Sequence, residues 1–63
     1  MTINEEIAAC KNAIRSCQLR IDRLIAEYGD GTRPSWVSGD IGHERGQIAA
    51  WERTIMKLQE EKQ

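Results

Sequence analysis

A chain of 63 residues with a formal net charge of −1 has room for one domain and one modest core. Such a core supplies only a few kcal/mol unless a staple, a metal or self-association adds to it. The balanced charge argues against nucleic acid as a partner, since phosphate contacts need an excess of Lys and Arg on one face. No apolar run approaches the ~18 residues of a membrane span. The start, MTINEEIAAC, is acidic where a signal peptide is basic. A cytoplasmic chain is therefore expected, with no membrane contact.

The first element runs over about residues 3–28. Ile3, Ile7, Cys10, Ile14, Cys17, Ile21, Leu24 and Tyr28 follow one another at alternating spacings of four and three. That is an unbroken heptad seam on one face of a helix. Thr2 with Glu5 three residues on forms a capping-box pattern, and Glu5 and Glu6 suit the positive end of the helix dipole. Gly29 supplies a residue able to take the left-handed conformation that ends a helix. Cys10 and Cys17 lie one heptad apart, roughly 10 Å along the axis, too far for a disulfide. Their spacing is also no zinc motif. Two small, buried, reduced thiols are expected.

The middle segment, GDGTRPSWVSGDIGHERG from Gly29 to Gly46, holds all five glycines, the only proline and the only histidine. A turn is expected over about 29–37. Pro34 biases Arg33 toward extended backbone, and Ser38 or Asp40 is placed to cap the next helix. Gly42 and Gly46 are costly inside a helix, about 1 kcal/mol each relative to alanine. Three explanations stand: close approach of another helix in an oligomer, a loop that delays the helix to about Gly46, or backbone approach by a ligand.

The second helix is expected over about 38–61. Val37, Ile41, Ile48, Trp51, Ile55 and Leu58 fall on one seam, with Glu44 filling the missing place. Folded back antiparallel with residue numbers summing to 65, both seams close on each other. Tyr28 meets Val37, Leu24 meets Ile41, Ile21 meets Glu44, Cys17 meets Ile48, Ile14 meets Trp51, Cys10 meets Ile55 and Ile7 meets Leu58. Glu44 is expected to pair with Arg20 or Arg45 at the bundle edge, in preference to setting register in an oligomer. The fold class is all-α: one domain over residues 1–63, an antiparallel, coiled-coil-like two-helix hairpin. Two helices leave a flank of every seam residue uncovered. Leu19, Ile25 and Met56 are apolar off the seam, and Ala8, Ala9, Ala13, Ala49 and Ala50 allow close approach. Completion as a bundle by self-association is expected.

For function, the leading expectation is a non-enzymatic homo-oligomeric binding module that acts by stoichiometric binding to a partner protein. Short, mixed-charge helical chains of this kind are common among phage-encoded accessory proteins, an impression carried by no motif. The alternative is sequestration of a small anionic or cyclic nucleotide near the turn. There Tyr28 and Trp36 would stack on a base, while Thr32, Arg33, Ser35, Ser38, His43 and Arg45 would meet phosphate at a helix N-terminus. No GxxxxGK[ST] phosphate loop supports that site. HERGQ lacks the second histidine of HExxH, so no metal or other cofactor is expected. No serine–histidine–acid or cysteine–histidine pair falls on adjacent layers, so no catalytic residue is assigned.

Overall fold

The computed structural model describes residues 2–29, 31 and 33–62, with Lys62 described through its backbone alone. It contains two helices, α1 (Ile3–Tyr28) and α2 (Ser35–Lys62), packed against each other along their length. The result is an all-α helical hairpin, a rod of 46 × 14 × 14 Å.

Helix α1 begins as its sequence directs. The Thr2 hydroxyl accepts from the Glu5 N–H at 3.1 Å, and the Glu5 carboxylate accepts from the Thr2 N–H at 3.4 Å, closing the capping box. At its far end the Gly29 N–H donates to Ile25 O at 2.7 Å. Gly29 has φ 79° and ψ −180°. The positive φ is as expected, but ψ lies outside the left-handed helical well. This is the extended positive-φ region that only glycine enters without strain, and it sends the chain away from the helix axis.

Helix α2 starts at Ser35, three residues before the expected start. The Val37 N–H already donates to Pro34 O at 3.0 Å. The reason is burial. Val37 and Ile41 are 0% and 2% exposed, and residues four apart share a face only when the helix is already running at the first of them. The turn is thus shorter than 29–37, and Ser38 and Asp40 lie inside the helix rather than at its cap. Gly39, Gly42 and Gly46 are all helical, so a loop persisting to Gly46 is excluded.

The packed centre joins Ile21 of α1 to Val37 and Ile41 of α2, with Leu24, Ile25, Tyr28 and Ile48 against it. Ile25, placed off the seam by its spacing, is therefore part of the core's edge. Arg20 beside Glu44 and Tyr28 beside Trp36 place the register within one residue of the pairing read from the seams. Burial is uneven between the helices. On α1 it extends along the whole rod, through Ile7, Cys10, Cys17 and Ile21. On α2 it stops after Ile41: Ile48, Ile55 and Leu58 are half-buried, and the seam residue Trp51 is 36% exposed. Ile14 is likewise only half-buried. A two-helix rod has no third element to cover these flanks.

Candidate functional site

Among the described residues, three places bring chemistry-bearing side chains together. The first is the turn. The Arg33 guanidinium donates to Gly29 O at 2.9 Å and to Ser38 Oγ at 3.3 Å, tying the end of α1 to the first turn of α2. Tyr28 and Trp36 meet edge to face, ring centroids 5.3 Å apart and planes at 81°. This arrangement suits aromatic contact between two rings. It is not a pair of parallel jaws around a base. Trp36 remains 53% exposed, Ser35 is exposed at the start of α2, and Thr32 lies outside the described residues.

The remaining candidates for an anionic ligand leave the turn. His43 lines a groove of about 430 Å³ with Arg20, Arg23, Leu24, Glu27, Asp40 and Glu44. Arg45 is exposed and lines no part of this groove. The two residues are two apart on a helix, a separation that turns side chains to different sides. Of the eight residues grouped by sequence, Tyr28, Arg33, Trp36 and Ser38 stay together. The groove sets Arg20 and Arg23 against the carboxylates of Glu27, Asp40 and Glu44, so it offers a phosphate no excess of positive charge.

The second place is a polar cluster at the seam's edge, and sequence spacing foresaw only part of it. Arg20 Nε and a terminal guanidinium nitrogen donate to the two carboxylate oxygens of Glu44 at 2.9 and 3.0 Å. This is the expected edge pairing, in the bidentate form that favours Arg over Lys. The Glu44 side chain is 16% exposed and that of Arg20 54%. The same guanidinium donates to Cys17 Sγ at 3.4 Å. Its hydrogen bonds hold the Glu44 carboxyl below its ordinary range. The Cys17 thiol is pushed up, first by the neighbouring Glu44 carboxylate and then by burial. A thiol kept protonated and 3% exposed is a poor nucleophile, because the thiolate is the reactive form. Cys10 and Cys17 are both free and buried. The cluster bridges α1 and α2 at the one layer where the seam lacks an apolar residue.

The third place lies toward the open end of the rod. Lys11, Ile14, Glu52, Ile55 and Met56 line a groove of about 380 Å³. Its floor is the half-buried seam and its lips are one base and one acid.

Among the described residues no three His, Cys, Asp or Glu side chains are grouped to hold a metal ion, and no helix is long and apolar enough to cross a membrane. No family model, curated protein or solved structure matches the chain.

Proposed function

We propose that this chain is a non-enzymatic helical binding module that self-associates and works by occupying a partner protein stoichiometrically. The observation that carries the reading is the incomplete burial of α2. Trp51, Met56 and the α1 residue Leu19 are 36%, 61% and 54% exposed, while the seam residues Ile48, Ile55 and Leu58 are not fully covered. Large apolar surface on a rod this thin is stabilised by contact with more protein. The polar clusters support the same reading, because their hydrogen bonds close on one another within the chain.

Sedimentation velocity across a hundredfold range of concentration tests the self-associating half. The expected result is a species of at least twice the chain mass that dissociates and loses helix together on dilution. A well-folded monomer at every concentration would overturn it. The partner-binding half is tested with Trp51→Ala, an exposed site whose change leaves the packed centre intact. A copurifying partner should leave the complex with this variant and stay at a fixed molar ratio with the wild type.

A further inference from the structure

We infer that a second copy of this chain docks on the groove formed by Lys11, Ile14, Glu52, Ile55 and Met56, with the two rods side by side and their turns at the same end. This inference rests on the self-association proposed above and adds its face and symmetry.

The first support is area. A compact monomer of this mass exposes about 4,100 Å², whereas the hairpin exposes 4735 Å². The excess is about 600 Å² per chain, close to the ~800 Å² that each partner contributes to a standard stable interface. One copy is therefore enough to bring the rod to ordinary compactness.

The second support is charge. Lys11 and Glu52 stand on opposite lips of the groove. Among the described residues the ion pair found is Arg20–Glu44, so these two do not pair with each other. The observed register puts Lys11 and Glu52 at nearly the same height along the rod.

Two symmetric arrangements can cover this face. With the two-fold axis along the rod, α1 of each copy lies against α2 of the other. Lys11 of one copy then meets Glu52 of the other, twice, and all neighbouring helices run antiparallel. With the axis across the rod, α1 faces α1 and lysine approaches lysine near the centre of the groove. Opposite charges select the first arrangement.

The larger groove is the poorer candidate because its lining is polar: Leu24 is its one apolar residue, whereas Ile14, Ile55 and Met56 line the smaller groove, so covering the smaller one removes more apolar surface from water. The inferred interface also gives Gly42 a role. Gly42 and Ala49 precede Met56 at heptad intervals on one stripe of α2. A Cβ at Gly42 meets nothing within 4 Å inside the hairpin, and the stripe faces the α1 of the second copy.

The test uses the full chain. K11E and E52K should each weaken the dimer about tenfold, since each turns two attractions into two repulsions. Mixed together, the two variants should form heterodimers in preference to either homodimer, because every cross-copy pair is again opposite in sign. Separately, a spin label at Ser35→Cys reads the direction of packing. The native cysteines are 5% and 3% exposed, so labelling of the folded protein falls on the new site. Turns at the same end predict an inter-label distance of roughly 10–25 Å, a few helix diameters at most. A dimer with labels near the full 46 Å of the rod, or one without heterodimer preference, overturns this docking mode and leaves self-association standing. A monomer at all concentrations removes both.

Discussion

Ile21→Ala and Ile55→Ala, compared side by side, measure how much of the fold belongs to the hairpin and how much to its cover. Ile21 is 2% exposed and packs with Val37 and Ile41 in the innermost cluster. Truncating a fully buried Ile costs about 2–5 kcal/mol, the lost transfer energy plus the cavity left behind. A chain of this length has a total stability of only about 3–9 kcal/mol, so Ile21→Ala should lose a large share of its helix at 25 °C. Ile55 holds an equivalent heptad place but is only half-buried and lines the open groove. In an isolated hairpin its truncation removes less covered surface and should cost less, about 1–2 kcal/mol. With a second copy over the groove, it should approach the Ile21 value and grow with protein concentration. Urea denaturation followed by circular dichroism, at two concentrations twentyfold apart, gives both numbers. The placement of the core is refuted if Ile21→Ala costs less than about 1 kcal/mol. The account of the groove is refuted if the Ile55→Ala cost is small and independent of concentration.

Gly29→Ala should lower stability by about 1–3 kcal/mol in the same assay, because φ 79° with extended ψ is strained for any residue with a Cβ. Little or no effect would show that the chain leaves α1 by another path. Gly46→Ala should do the opposite, raising stability by up to about 1 kcal/mol, since this glycine is helical, exposed and has open space where its Cβ would sit. Destabilisation would place another chain against it. The Glu44 carboxyl is lowered in the folded state by Arg20, so its stabilising effect is complete above the unfolded carboxylate range, about 4.3, and is lost as pH falls through the folded value. The Cys17 thiol is raised, so its contribution holds below about 8.5 and is lost as pH rises through its folded value. Melting temperature against pH should therefore form a plateau between these limits, and Glu44→Gln should flatten both shoulders. An unchanged profile in that variant would refute the coupling of the three side chains.

Much of this architecture is written in the order of the residues. The heptad spacing from Ile3 to Tyr28, the Thr2–Glu5 cap and the break at Gly29 specify a helix of definite length and face, because capping and amphipathic periodicity act over a few residues. The near-unique match between the two seams also makes their register readable, and the acid at 44 anticipates an arginine partner at the seam's edge, Arg20 or Arg45, between which only the packing decides. Other features depended on what the two helices do to each other. The start of α2 moved back to Ser35 because Val37 is needed in the core, and burial outweighs the local turn preference of the residues around Pro34. Trp51 holds a seam position by spacing, yet it stays partly exposed, since two cylinders in contact bury only a strip of each. The grouping of His43 with Arg20 rather than with Arg33, and the bond from Arg20 to Cys17, follow from where α2 lies over α1. Spacing along one chain states which residues share a face. Which residues of the other helix that face meets, and how much of it remains open to a second molecule, is decided by the packing of the pair.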